Sequence, residues 1–118
     1  MSSHPTILSS RVEGTNVYNL AGEKLGAIDD LVIDKRTGHV RYAALEFGGL
    51  FGLGTDRFPL PWSMLTYDTD KDGYVVNLDM EQLKSGPRYN KDESPDYSDE
   101  YGRGVYDHYG AAWAVRGV

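Results

Sequence analysis

One stretch constrains the fold more than any other: Val17-Tyr-Asn-Leu-Ala-Gly-Glu-Lys-Leu-Gly-Ala-Ile-Asp-Asp-Leu-Val-Ile-Asp34, continued by Lys-Arg-Thr-Gly38 and Val40-Arg-Tyr-Ala-Ala-Leu45. Short apolar runs alternate with clusters of Gly, Asp and Asn, which is the pattern of strands joined by turns. Ala21-Gly22 separates a first strand from a second, and Lys35-Arg-Thr-Gly38 separates the second from a third. No catalytic group is placed along these residues. The high count of 14 glycines in 118 residues fits a fold made of turns, and the length fits one domain with a modest core.

The strand pattern continues to about residue 78. Gly48-Gly-Leu-Phe-Gly-Leu-Gly54 is a glycine loop carrying Leu50, Phe51 and Leu53. Phe58-Pro-Leu-Pro-Trp62 is expected to be extended but outside any central ladder, because proline has no N–H to donate. Met64-Leu-Thr-Tyr-Asp68 and Gly73-Tyr-Val-Val-Asn-Leu78 form a hairpin around Thr69-Asp-Lys-Asp72. Asp79 stands as the N-cap of a short helix over 80–85, with Gln82 three residues on and Gly86-Pro87 as the stop. Ser10-Arg-Val-Glu13 predicts a one-turn helix with a capping box, ended by Gly14. The expected organisation is an arm over 1–13, a β domain over 14–87 and a Tyr/Asp/Gly-rich tail over 88–118. Within that tail 90–98 reads as a linker. Tyr97, Tyr101, Val105, Tyr109 and Trp113 then recur every four residues, on one side of a helix. Gly102, Gly104 and Gly110 weaken that helix by roughly 1 kcal/mol each relative to Ala, so it is expected to order only when docked.

The net charge of −6 removes the Lys/Arg excess that phosphate binding needs, so neither nucleic acid nor an anionic membrane surface is an expected partner. The window 47–55 is too short and too glycine-rich to span a bilayer as a helix, which takes roughly 20 apolar residues. No basic, apolar leader opens the chain, so no secretory signal is expected. The absence of cysteine suits a reducing compartment, and a cytoplasmic location is expected.

Candidate chemistry reduces to few motifs. Asp68-Thr-Asp-Lys-Asp-Gly73 opens like a calcium loop, with Asp79 at the twelfth position. Against it, no helix leads in, Tyr74-Val-Val favours a strand, and Asp79 suits a helix cap; Asp-Gly is equally a hairpin signal. Asp29 and Asp30 are strand neighbours pointing to opposite faces, so they cannot act together as acid and base. His4, His39 and His108 have no ligand partner at metal spacing. Ser63 and Ser9-Ser10 lack the turn that exposes a nucleophile. No catalytic residue, metal site or cofactor is expected. The contact candidates are Leu50, Phe51 and Leu53 on the loop, together with Tyr97, Tyr101, Tyr106, Tyr109 and Trp113 in the tail. Exposed apolar clusters and Tyr/Trp-rich elements mark interfaces.

Val17-Tyr-Asn, Gly22-Glu, Leu25-Gly-Ala-Ile, Asp30-Leu-Val-Ile-Asp, Gly38-His-Val, Tyr42-Ala, Phe47-Gly-Gly and Pro59-Leu-Pro-Trp62, in that order, resemble the PRC-barrel family. The resemblance covers about 14–87. It implies an all-β fold: a small, mostly antiparallel β-barrel with a short helix after the last strand, the aromatic tail lying outside. It also implies a binding module without enzymatic activity. The family includes the cytoplasmic domain of the photosynthetic reaction-centre H subunit, a domain of a ribosome-maturation factor, and stand-alone bacterial proteins. The leading expectation is a cytoplasmic protein-binding module, a homodimer through loop and tail. The alternatives are an accessory factor of a photosynthetic or electron-transfer membrane complex, by resemblance to the H subunit, and a calcium-responsive module over Asp68 to Asp79.

Overall fold

The computed structural model describes residues 6–47, 56–90 and 92–113. Turn chemistry sets the first half of the chain. β1 (Asn16–Asn19) and β2 (Lys24–Ile33) are antiparallel, and the side chain of Asn19 builds the turn between them. Its Oδ1 accepts from the backbone N–H of Ala21 and of Glu23, at 3.0 and 2.9 Å. Gly22 takes the positive φ of +87° that this turn requires. The β2–β3 turn works the same way around Asp34, whose Oδ1 accepts from Arg36 and Thr37 N–H. β3 (Val40–Phe47) follows where the sequence places it.

β3 then pairs with β4 (Asp56–Pro61), so Phe58-Pro-Leu-Pro is extended, as expected, and where the prolines stand it pairs on one side only among the described residues. Pro59 and Pro61 share one parity of the strand, so their missing N–H groups fall on a single edge. Phe58 and Leu60 are left for the other edge. The next strand, β7 (Tyr89–Asn90), pairs only with Asp56 and Arg57 and stops before the prolines. A 3-10 turn (Trp62–Met64) leads into the expected hairpin of β5 (Leu65–Asp68) and β6 (Gly73–Val76). β6 pairs in parallel with β1.

The seven strands form one sheet in the order β5-β6-β1-β2-β3-β4-β7. The sheet is mostly antiparallel but is not closed: among the described residues β5 and β7 do not pair with each other. The expected closed barrel is therefore corrected to an open sheet. Closure needs complementary edges, and β7 is two residues long beside a proline-blunted β4.

Three α-helices complete the described residues. α1 (Ser9–Val12) is one turn, as expected, but starts at Leu8 with no side-chain cap, so the Ser10 capping box does not form. α2 (Met80–Lys84) is capped by Asp79, whose Oδ1 accepts from Gln82 N–H at 2.8 Å. α3 (Asp99–Tyr109) is capped by Ser98 and ended by Gly110 at φ +70°. A single core gathers Val17, Leu25, Ile28, Leu45, Phe58, Leu60 and Leu83 together with Val105, Tyr106 and Tyr109 of α3. The tail helix thus packs on its own sheet, burying Val105 fully and adding two aromatic rings, Tyr106 and Tyr109.

Candidate interaction site

The aromatic tail gathers around Tyr42 of β3. Register sets Tyr42 opposite Pro61 and Ala44 opposite Pro59, and cross-strand partners share a face. Tyr42 meets the ring of Tyr97 at 5.0 Å and the edge of Tyr106 at 5.7 Å. Tyr97 in turn contacts Tyr101 at 5.3 Å and Tyr89 at 6.2 Å, and its hydroxyl donates to that of Tyr89 at 2.9 Å. This packing holds Tyr97 at φ +54°, a left-handed conformation rare for a side chain of this size. The Tyr106 hydroxyl donates to the Arg41 carbonyl at 2.9 Å. His108 Nε2 lies 3.0 Å from the Gln82 carbonyl, joining α3 to α2.

The structure thus brings together Tyr97, Tyr101, Tyr106, Tyr109 and Trp113, though not as one helical stripe. The buried stripe of α3 is Gly102, Val105, Tyr106 and Tyr109. Trp113 lies beyond the helix end: the Gly110 turn returns it to Tyr106 at 5.1 Å and onto Gly102. Gly102 is thereby a point of close approach. A methyl group there would stand 2.6 and 2.7 Å from Trp113 Cη2 and Cζ3 and would also strike Tyr42 Oη, whereas Gly104 faces open space. Leu50, Phe51 and Leu53 lie outside the described residues.

Burial leaves its mark on these phenols. Desolvation is the main cause pushing Tyr42, Tyr101 and Tyr109 up to about 12. Tyr97 is raised further, by desolvation and then by its bond to Tyr89. The hydroxyls of Tyr101 and Tyr109 and the indole N–H of Trp113 are buried without a hydrogen-bond partner among the described residues.

Residues that the sequence reading passed over complete the site. Arg41 bonds Asp34 at 3.0 Å and lies 5.9 Å over the Trp113 ring. The N–H groups of Arg36 and Thr37, then Arg41, hold the Asp34 carboxyl well below the usual carboxylate range. Between the β2–β3 turn and the tail lies a cleft of about 430 Å³, lined by Ile33, Asp34, Arg36, Arg41, Tyr97 and Trp113. Arg57 is buried and binds Asp29 at 2.7 Å. A bulge in β2 between Ile28 and Asp30 lets Asp29 reach it, while Asp30 bonds its neighbour's N–H.

The calcium motif folds as a hairpin turn. Asp68 Oδ1 accepts from the N–H of Asp70 and Lys71, Asp72 bonds the Tyr67 hydroxyl, and Asp79 caps α2. Among the described residues no group of three or more His, Cys, Asp or Glu is placed to hold a metal ion, and no helix is long and apolar enough to cross a membrane.

An open seven-stranded sheet with an aromatic helix laid over one face defines a small, mostly β domain. The PRC-barrel domain model matches residues 4–83, and the chain belongs to that family. α3 and the rest of the tail lie beyond the matched span. An uncharacterised protein of Deinococcus radiodurans is 28% identical over 87 residues. The match takes in 74% of this chain and 30% of that protein, so the chain spans under a third of its relative's length. A Pseudomonas aeruginosa crystal structure, described as a 16S ribosomal RNA processing protein RimM, aligns with a TM-score of 0.46 at 18% identity. That alignment covers 67% of this chain and 48% of the other.

Proposed function

We infer that this chain is a non-enzymatic protein-binding module of the cytoplasm, and that it pairs with a second copy of itself by exchanging the α3 helix. PRC-barrel domains serve as interaction modules, and the chain's membership supports the general reading. The observation that carries the finer one is the tail itself. A Tyr-rich helix from outside the family span sits on the Tyr42 face, so that face accepts such a helix. An identical face on a second copy accepts it equally. The segment 91–98 extends to roughly 27 Å, which permits exchange. Two reciprocal contacts make a closed two-fold dimer. Leu50, Phe51 and Leu53 are proposed as a further contact at that interface. An accessory role at a photosynthetic or electron-transfer complex has only family resemblance behind it, and nothing in the geometry favours it.

Sedimentation of the full chain at micromolar concentration tests the pairing. A dimer is expected, converted to monomer by Trp113→Ala combined with Tyr109→Ala. A monomeric wild-type chain would refute exchange, and an unchanged dimer in the double variant would acquit the tail.

A further inference from the structure

The two ends of the sheet differ. One is blunted by Pro59, Pro61 and the two-residue β7. At the other, β5 pairs with β6 alone among the described residues, and its sequence, Leu65-Thr-Tyr-Asp68, contains no proline or lysine. Soluble proteins usually protect such an edge, because its unpaired N–H and C=O groups template another strand. Here one side of the edge is apolar instead. One flanking cleft of about 540 Å³ is lined by Leu20, Met64, Thr66, Tyr67 and Val75. A second, of about 380 Å³, is mostly polar, with Arg11, Glu13, Thr15 and Asp72 beside Ile7 and Tyr67. Five large hydrophobic side chains are exposed among the described residues, and three of them, Ile7 (54%), Leu20 (69%) and Tyr67 (43%), stand at these clefts. Leu20 is held out rigidly, since the Asn19 side chain fixes its turn through Ala21 and Glu23.

We propose that the β5 edge is a strand-addition site for an extended segment of a partner protein. That segment carries apolar side chains at alternate positions for the Leu20 cleft, polar ones between them for the second, and basic residues at its end beside the 69–72 turn. Main-chain pairing gives such a contact its affinity and the alternate pockets give it specificity. The charge requirement comes from Asp68, Asp70 and Asp72, which gather at that turn on a chain of net charge −6, while Lys71 lies over the Tyr18 ring at 5.1 Å. A second copy is the poorer occupant. It carries the same negative charge, and a four-residue ladder of roughly 13 Å supplies little of the roughly 1,200 Å² that a stable interface buries. The proposal rests on the reading of the chain as a binding module, but β5 is remote in strand order from the β3–β4 face under α3. The two sites therefore fail separately.

The test uses the full chain and a labelled octapeptide of alternating valine and threonine with lysine at both ends. Expected are saturable binding and amide shifts confined to 65–68, Leu20 and Ile7. The same peptide N-methylated along one edge should bind about tenfold more weakly, having lost its ladder. Exchanging its lysines for glutamates should weaken binding severalfold, and Asp70→Asn should narrow that difference. Asp70 serves the turn through its backbone N–H, so this variant keeps the fold. Leu20→Ser, at an exposed position, should also weaken binding. Equal binding of the methylated peptide, equal binding of the glutamate peptide, or shifts centred on α3 would each overturn the proposal. So would a dimer of the full chain that Leu20→Ser dissociates, since it would assign the edge to a second copy.

Discussion

Gly102 and Gly104 lie two residues apart in one helix, and alanine at each should act in opposite directions. Propensity alone predicts that both substitutions stabilise α3 by about 1 kcal/mol. At Gly104 nothing stands within 4 Å of the new methyl group, so the full gain should appear. For a domain of this size that raises Tm by about 4 °C. At Gly102 the methyl group meets Trp113 Cη2 at 2.6 Å and Cζ3 at 2.7 Å and also strikes Tyr42 Oη. Tyr42 is 2% exposed and wedged between Tyr97 and Tyr106, so it has nowhere to go. Either α3 lifts from β3 or Trp113 leaves its seat. Overpacking of this kind costs about 1–3 kcal/mol. Set against the helix gain, the net loss is about 1 kcal/mol, and the two variants should differ by about 2 kcal/mol. Thermal and denaturant unfolding at one fixed protein concentration would measure the gap, the fixed concentration removing any contribution from association. Trp fluorescence should change in Gly102→Ala and not in Gly104→Ala. If Gly102→Ala stabilises as much as Gly104→Ala, α3 does not dock on Tyr42 in this register.

Two further outcomes follow from the same contacts. Tyr42, Tyr101 and Tyr109 are raised to about 12, so their contribution to stability is complete below about pH 10, the unfolded value, and is lost as the pH climbs toward 12. Phenolate absorbance should therefore show a late step coincident with loss of circular dichroism, and ionisation of all nine tyrosines in the intact fold would contradict the packing. The strands and turns over 14–87 are proposed to fold alone, so a chain ending at Tyr89 should unfold cooperatively at a lower midpoint, having lost the cover over Tyr42; a molten product would place α3 among the essential parts of the core.

What the sequence made legible was local. Asn19, Gly22, Asp34 and Gly38 carry their turn geometry in their own side chains and backbone, so β1, β2 and β3 could be read directly. The same holds for the Thr69–Asp72 hairpin and for Asp79 as a cap. What escaped depends on partners distant in sequence. Whether the sheet closes is decided by β5 and β7, whose edges must fit each other, and no local pattern records that fit. The prolines of β4 were read as barring a central ladder; that β3 still pairs along them follows from their shared parity, which confines the defect to one edge. Gly102 was read as a weakness of the helix, whereas its lack of a side chain lets α3 and Trp113 close on Tyr42. The four-residue spacing assigned Trp113 to the helix because Gly110 was counted as a cost rather than as a left-handed stop. Asp29 was seen only as half of a carboxylate pair, and its role depends on a bulge and on Arg57, 28 residues away.

The tail and the open edge are two answers to one difficulty. A sheet that does not close leaves apolar surface and unpaired backbone in the same molecule. Around β3 and β4 the chain covers the surface itself, with a helix that is weak alone and is held by aromatic contacts with Tyr42. That helix is the element proposed to exchange between copies. At β5 no segment of the described chain provides cover, and the strand keeps its hydrogen-bonding groups on offer beside Leu20 and Tyr67. The exchange proposed at the first site is a competition with the chain's own tail and should be slow. At the second it needs no displacement, and its rate should follow encounter and charge.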